Sequence, residues 1–458
     1  MPFRRFFDRG QKRESPVVDE SSSEEIESST SDEESELAED EGEWADSTEE
    51  PEGEPEDAEA INWLERASTI LPTGASTGSK RAEALYGDAS AVGPTHYINA
   101  SGCRFVDPSG QTYIDCTMAL GSVAIAYGEM RIQEAAMAAV GNGNVAGLSN
   151  IREVELAERL SSVIPCAEMV QFLKSGAEGV SAAIRIARTY TNRDLVVGSG
   201  YFGWHDWSSD AAGVPAAVRG LFRSVPFDDV TALEEAAGEA GNRLAAIVIE
   251  PVVERMPSER WIAAARELSK SLGAVLIFDE MKTGFRLKTG GYQELSAITP
   301  DLAVFGKALA NGFPLAAVVG HRDVMEAARR TWISSTLAGE SVALAAAGAV
   351  LDWHESLDVC EQLASTGKAM REAVNNALTA SGVTGVSVDG IDPMWLMRFT
   401  NRRRETRFLE LAVSHGVLFK RGAYNFAAIA HDEETITEIE SAASAAFVEM
   451  REEEQDEA

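Results

Sequence analysis

The run LAVFGKALANGFPLAAVVG, from Leu302 to Gly320, carries one charge, Lys307, in a chain whose formal net charge is -34. A lysine set among small and apolar residues must pair, reach water or lose its proton. An uncharged lysine amine is a nucleophile. Two further apolar runs end on acids: LAAIVIE (244–250) on Glu250, and AVLIFDE (274–280) on Asp279 and Glu280. The spacings are 29 residues from Glu250 to Asp279 and 28 from Asp279 to Lys307, each the length of one strand–helix–strand unit. In an open α/β sheet the carboxyl ends of parallel strands line the ligand crevice, which sets Asp279 and Lys307 toward one ligand. The same residues also fit an internal ion pair, and a lysine that lays its stem on apolar surface with its head in water.

The segment VQFLKSGAEGVSAAIRIARTY (170–190) leads from a short apolar strand through Ser175, Gly176 and Ala177 into a helical run. Small residues let a backbone approach a ligand, and a helix N-terminus offers free N–H groups at a positive dipole end. This pattern suits a phosphate cradle, and it equally suits an ordinary helix cap. Downstream, GYFGWHDW (200–207) sets four aromatics and a histidine in eight residues, a source of a ring that stacks on a heterocycle or of a plain aromatic patch. A phosphate cradle, a stacking ring, a carboxylate and a lone lysine together match the needs of pyridoxal 5'-phosphate (PLP). The lysine forms a Schiff base with the cofactor aldehyde. The carboxylate keeps the pyridine nitrogen protonated, so that the ring accepts electrons.

These residues need strands and helices in alternation to bring them together. RIQEAAMAAV (131–140), REVELAERLSSVI (152–164) and RWIAAARELSKSLG (260–273) have helical spacing, while DLVVGS (194–199), LAAIVIE, AVLIFDE and LAVFG (302–306) read as buried parallel strands. The alternation predicts βαβ units and a doubly wound sheet. Beyond it, ALAAAGAVLDWHE and SLDVCEQLASTGKAMREAVNNAL read as helices, and MWLMRFT and GVLFKRG as strands of a smaller α/β domain.

Composition bounds the rest. The 458 residues are 45% hydrophobic, enough for a substantial core. Residues 1–60 hold 23 Asp/Glu against 5 Lys/Arg, so -18 of the net charge sits there, and REEEQDEA at 451–458 adds -4. The Ser-rich acidic segment lacks the apolar content to offset ordering entropy and is expected to be disordered; the basic-aromatic MPFRRFF before it reads as a docking motif on a tether or as a terminus without a role. Phosphate binding needs basic surface, so nucleic acid is not an expected partner. Four scattered cysteines with no companion histidine cluster argue against a metal site and a disulfide framework, and place the chain in a reducing cytoplasm. The opening MPFRRFFDRGQKRE lacks the apolar stretch of a secretory signal, and no run approaches the roughly 18 apolar residues of a membrane helix.

The combination LIFDEMKTGFR with TPDLAVFGKALANGFPLAAVVG, FLKSGAEGVSAAIRIAR, GYFGWHD and STLAGESVALAAAG (335–348) resembles the class III aminotransferases of PLP fold type I, most closely the glutamate-1-semialdehyde aminomutase-like branch, over nearly all of 61–450. The resemblance implies a large, mainly parallel doubly wound PLP-binding domain at 116–345, a small α/β domain built from 61–115 and 346–450, an acidic tail at 451–458, and a homodimer with shared active sites. It assigns the Schiff base and the shuttled proton to Lys307, the pyridine-nitrogen partner to Asp279, the phosphate loop to Ser175, Gly176 and Ala177, and the stacking ring to Tyr201. It assigns a phosphate ligand donated across the dimer to Thr336, and support of the site to Glu250 and Glu280. Arg81 in PTGASTGSKR is the candidate for the substrate carboxylate. Some positions depart from the family pattern: SGAEG replaces S-G-T-E-A, Phe202 stands where histidine is usual, and AYGEMRI (126–132) replaces a Gly-His-x-His-Pro run. KRGAYNF (420–426) places Asn425 where aminomutases carry an acid. The implied activity is amino-group transfer between an amine donor and a carbonyl acceptor, with an altered substrate side. A catalytically silent scaffold with an acidic recruiting tail, and a PLP-dependent decarboxylase or racemase, use the same sequence features.

Overall fold

The computed structural model describes residues 62–87 and 93–456. The expected disordered segment 1–60, its MPFRRFF motif and the last two residues lie outside the described residues.

The apolar runs become one seven-stranded sheet. Its strands are β1 (Met169–Leu173), β2 (Leu195–Ser199), β3 (Phe222–Ser224), β4 (Leu244–Ile249), β5 (Val275–Asp279), β6 (Leu302–Phe305) and β7 (Ala316–Gly320). They lie in the order β1-β7-β6-β5-β4-β2-β3. Five strands, β6 through β3 in that order, run parallel, and β7 is antiparallel to both of its neighbours. The sheet is buried on both faces, which is why its strands read as unbroken apolar runs rather than alternating ones. Ala246, Val248, Ile277, Leu302 and Val304 pack with Val180, Ala183, Ile184 and Ala187 of the helix Gly176–Thr191. The intervening Ile247, Ile249, Leu276, Phe278, Ala303 and Phe305 join a larger cluster with Leu233 of the helix Val230–Ala240 and with Trp261 and Ala265 of the helix Glu259–Leu272. The period of two along each strand thus sorts side chains to helices on opposite faces. On one face the helix sits close: a Cβ on Gly179 would meet Val304 Cγ1 at 2.7 Å.

Two small sheets flank this unit. Asn99–Ser101, Arg104–Val106 and Thr112–Asp115 form an antiparallel meander, joined in parallel by Val417–Leu418. Val386–Ile391, Met394–Phe399 and Asn425–Phe426 form an antiparallel three-stranded sheet. The expected strand GVLFKRG shortens to Val417–Leu418, because the chain then turns at Lys420–Gly422 to reach the second sheet.

Two helices run across expected boundaries. The division at 345/346 falls inside one continuous helix, Ser341–Ser356, whose Ala343, Leu344, Ala346 and Val350 belong to the main core. The acidic tail drawn at 451–458 continues the last helix, Glu433–Asp456. Glu453 pairs with Arg407 at 2.6 Å and Glu454 with Arg404 at 2.5 Å, so opposite charge on the helix Arg402–Ser414 draws these glutamates onto the domain.

Asn311 fixes the turn after β6. It ends the short turn Lys307–Ala310 at φ 44°, in the left-handed region that asparagine tolerates better than most residues. Its Oδ1 accepts from the N–H groups of Ala124 and Ile125, both at 3.0 Å, and its Nδ2 donates to the Ala126 carbonyl at 2.9 Å. Asn311→Ala leaves these buried backbone groups without partners and keeps a strained φ, for an expected loss of about 3 kcal/mol. Denaturant unfolding measures it; an unchanged midpoint would show that the bracket is dispensable.

Candidate functional site

The register of β4, β5 and β6 sets the site. Ile249 pairs with Phe278, and Asp279 with Val304. Glu250 and Asp279, each one residue further along its strand, therefore stand level. Lys307 follows three residues after Val304, and Lys282 three residues after Asp279. The three acids and the lysine singled out in sequence thus leave one end of the sheet on adjacent strands.

Asp279 is buried, and its Oδ1 accepts from the Met281 N–H at 3.0 Å. Burial, and then the nearby Glu250 charge, push its carboxyl up; Lys307 and Lys282 pull the other way. Lys307 is half-buried at φ 49° and makes no hydrogen bond or ion pair among the described residues. Burial, and then the charge of Lys282, hold its amine below the ordinary lysine value, against Glu250 and Asp279. A left-handed lysine is an unusual, strained backbone, of a kind that recurs at functional sites. Gly306 before it is needed for close approach: a Cβ there would meet Met281 Cε at 2.5 Å. Met281 also closes on Gly176, whose Cβ would meet Cε at 2.8 Å, so one thioether lies between the lysine turn and the helix start.

That helix start is the proposed phosphate segment. Ser175 caps it in a reciprocal box: its Oγ accepts from the Glu178 N–H at 3.3 Å, and Glu178 Oε2 accepts from the Ser175 N–H at 2.9 Å. The N–H groups of Gly176 and Ala177 take no partner among the described residues, leaving two donors at the positive end of the helix dipole. The aromatic loop comes up against them: Gly203, at φ 93°, brings its backbone so close that a Cβ would lie 2.5 Å from Ala177 Cβ. Tyr201 stands at the rim, 74% exposed, its N–H donating to Glu250 Oε2 at 2.8 Å. These features fit PLP: two free donors for a phosphate, a buried acid for the pyridine nitrogen, an unpaired amine for the aldehyde.

Glu280 has a different place. It is fully buried under the loop after β5, accepting from Thr283 Oγ1 and from the N–H groups of Tyr292 at 2.8 Å and Gln293 at 3.2 Å. Thr336 is exposed in a loop that lines a cavity of about 560 Å³ with Asn142–Ile151. Arg81 is exposed before the short helix Ala82–Tyr86 and lines a cavity of about 930 Å³ with Asn62, Lys80 and His96. The linings of these two cavities contain neither Lys307 nor Asp279.

Asn425, expected on the substrate side, is fully buried, its Oδ1 accepting from the Lys420 N–H at 2.9 Å. Its neighbour Tyr424 is the side chain beside the site, with its hydroxyl 3.4 Å from Lys282 Nζ. Tyr424 stands just before the two-residue strand Asn425–Phe426, so neighbouring residues of one turn serve as wall and brace. Sequence reasoning also passed over Lys282, although it stands in the quoted run LIFDEMKTGFR. Its Nζ pairs with Glu250 Oε1 at 3.1 Å and lies 4.5 Å from the centre of the Tyr424 ring. Arg286, 1% exposed, donates to the carbonyls of Gly121 at 2.6 Å and Ala427 at 3.2 Å and stacks over Phe426. The run DEMKTGFR gave little signal for Lys282, which stands there among other charged residues.

Comparison with known proteins places the fold and the family. The fold matches solved PLP proteins: the FumI protein of Sphingopyxis sp. MTA144, in its PLP internal aldimine form, superposes with a TM-score of 0.80 at 24% identity, covering 86% of this chain and 96% of that one. An omega-transaminase from Sphaerobacter thermophilus gives 0.77 at 24%, covering 87% and 99%. Residues 87–200 and 219–431 match the aminotransferase class-III family, and the chain belongs to it. Enzymes of this family depend on PLP and move amino groups, as aminotransferases or aminomutases. Relatives include a glutamate-1-semialdehyde 2,1-aminomutase of Polynucleobacter necessarius, 32% identical over 84% of this chain and 97% of its own. A 3-aminobutyryl-CoA aminotransferase of Cloacimonas acidaminovorans is 29% identical over 83% and 94%. A 2'-deamino-2'-hydroxyneamine transaminase of Streptomyces kanamyceticus is 35% identical over 67% and 78%.

Burial raises the Glu280 carboxyl to about 7, outweighing the hydrogen bonds it accepts. A carboxyl whose folded pKa lies above its unfolded one favours the folded state while protonated. That advantage is present below the unfolded value near 4.5 and is lost as pH rises toward 7. Glu280→Gln does not titrate. Its stability relative to the parent is expected to rise between pH 5 and 8 by up to about 3 kcal/mol. Parallel stability profiles for the two proteins would show that Glu280 titrates normally.

Proposed function

We propose that Lys307 is the residue that binds PLP covalently and carries the proton between substrate carbon and cofactor, with Asp279 as partner of the ring nitrogen. The observation that carries this reading is the shared level of Glu250, Asp279 and the Lys307 turn on three adjacent strands, beside a helix start with free N–H groups. The N–H groups of Gly176 and Ala177, with the Ser175 hydroxyl, would hold the phosphate, and Tyr201 would stack on the ring. Bound there, PLP would take the amino group from a donor and pass it to a carbonyl acceptor, its ring serving as electron sink. Asp279 would keep the ring nitrogen protonated, and Lys307, whose amine burial and the Lys282 charge hold below the ordinary lysine value, would accept and return the proton at its Nζ. Glu250 and Glu280 support the site without a chemical step, and Arg81 is the candidate for the substrate carboxylate.

The relatives act on a semialdehyde, a CoA thioester amine and an aminoglycoside. In this chain Tyr424 and Lys282 stand beside the cofactor site and no acid is found at Asn425. That wall favours an aminotransferase acting on separate donor and acceptor over a semialdehyde mutase. A screen of amine donors and carbonyl acceptors, with the semialdehyde, amino acids and keto-sugars included, tests it; turnover of the semialdehyde alone would reverse it.

A second copy of the chain is the proposed partner. Val145, Leu148, Ile151 and Leu337 are each more than half exposed, and all but Leu337 line the cavity that also holds Thr336. An apolar face of this kind around a family phosphate ligand supports a dimer in which each copy lends Thr336 to the other. The proposed compartment is the cytoplasm, supported by four buried free cysteines.

Two measurements follow. Borohydride should fix the cofactor on the peptide containing Lys307, and Lys307→Ala should purify without the cofactor's visible absorbance; fixation on another lysine overturns the assignment. Leu148→Arg should shift the protein toward monomer in sedimentation and weaken PLP retention at least tenfold, the loss expected when about 1.4 kcal/mol of contacts goes with the partner. A monomeric parent would remove the dimer from the account.

A further inference from the structure

We propose that Lys282 is a positioning residue for Lys307: by claiming Glu250 in an ion pair, it leaves Lys307 as the uncharged lysine of the pair. The inference rests on the reading that Lys307 anchors the cofactor.

The argument is one of counting charges in a closed space. The ends of β4, β5 and β6 bring together two carboxylates, Glu250 and Asp279, and two amines, Lys282 and Lys307. Lys282 Nζ lies 3.1 Å from Glu250 Oε1, with both side chains largely buried, and the Tyr424 hydroxyl from the C-terminal loop lies 3.4 Å away. Burial works against the Lys282 charge, but Glu250 and Tyr424 outweigh it, and its pKa stays above the ordinary lysine value. Glu250 turns its other oxygen to the Tyr201 N–H at 2.8 Å, so both of its oxygens are engaged. The groups facing Lys307 are then Lys282, Glu250, Asp279 and Arg286. Arg286 spends its donors on carbonyls, so it neutralises neither acid.

If Lys282 were absent, one amine would face two buried carboxylates. It would stay an ammonium ion, because opposite charges nearby favour the charged form. An ammonium has no lone pair for the cofactor aldehyde. With Lys282 present, Glu250 has its own cation, and a second positive charge at Lys307 is opposed by a like charge close by. The arrangement separates the two lysines by role: one permanently paired, one free. It also explains why Lys307 makes no ion pair although two acids stand near it.

Removing Lys282 and removing Glu250 must then act on Lys307 in opposite directions, which a merely structural role does not produce. The test uses the full chain after removal of the cofactor. Reductive methylation of amines with formaldehyde and cyanoborohydride is followed across pH, and the peptide containing Lys307 is quantified by mass spectrometry. Lys282→Met should raise the titration midpoint of Lys307 by about one pH unit, a tenfold slower modification near neutral pH. Glu250→Gln should lower the midpoint and speed the modification. Lys282→Arg, which keeps the charge, should stay near the parent. In the loaded protein, the pH midpoint of the cofactor's visible absorbance should move in the same two directions. If Lys282→Met does not fold, Glu250→Gln still decides, since its amide oxygen can keep the Tyr201 bond. Unmoved midpoints, or shifts of the same sign in both variants, overturn the proposal. Failure of the cofactor assignment is seen separately, as borohydride fixation on a peptide other than that of Lys307.

Discussion

The site depends on holding two amines and two carboxylates in one poorly hydrated space at the end of a parallel sheet. Where the effective dielectric is near 20, unit charges about 4 Å apart interact by about 4 kcal/mol, several times the value in water. Each group's charge is then set by its neighbours more than by the solvent. The strand register makes this crowding unavoidable, because Glu250 and Asp279 stand level and the two lysines leave adjacent strands at equal offsets. A balanced set can be buried; an unbalanced one must shed a proton or open to water. The pairing of Lys282 with Glu250 is the part of that balance visible as a contact.

The backbone around the charges is shaped to admit a flat ligand. Gly176, Gly203 and Gly306 stand where a Cβ would strike Met281 or Ala177. Lys307 sits at a positive φ that a lysine does not choose unaided, a cost of about 1–3 kcal/mol that persists only where the surroundings dictate it. Two devices do so. Asn311 ties the far end of the lysine turn to the backbone at Ala124–Ala126. Arg286 ties the loop after β5 to Gly121 and Ala427. The buried arginine thus works as a hydrogen-bond hub between three segments, and its pKa is pushed down by burial to about 10.

The large sheet was legible in the sequence because it is buried on both faces. Its strands are short apolar runs, and a residue that ends such a run with a charge stands out against it; Lys307, Asp279 and Glu250 were visible for that reason. Lys282 was not, because DEMKTGFR turns at the end of β5 and a lysine in a turn reads as surface until its burial is known. Asn311 drew no notice in the sequence, because nothing in spacing tells that its amide reaches back nearly 190 residues to Ala124. The division at 345/346 cut a helix because Ala-rich spacing gives no edge. Asn425 and Tyr424 show the sharpest limit. Asn425, expected on the substrate side, is a buried brace for the Lys420 N–H, while Tyr424 before it stands beside Lys282, and nothing in the run KRGAYNF tells the two apart.

The same contrast separates what the chain does from what it acts upon. The inner half of the site is made by strand ends and one helix start, where burial leaves few acceptable residue types and chemistry can be inferred from them. The proposed outer half falls to Tyr201, Thr336 and Arg81, all exposed on loops, and to Tyr424 beside Lys282. An exposed loop residue meets weak demands from packing, so its identity answers to the ligand and little else. Physical reasoning about a single chain therefore reaches the amine, the acid and the phosphate cradle first. The proposal leaves acceptor and donor to the rim, where the proposed second copy would add its Thr336.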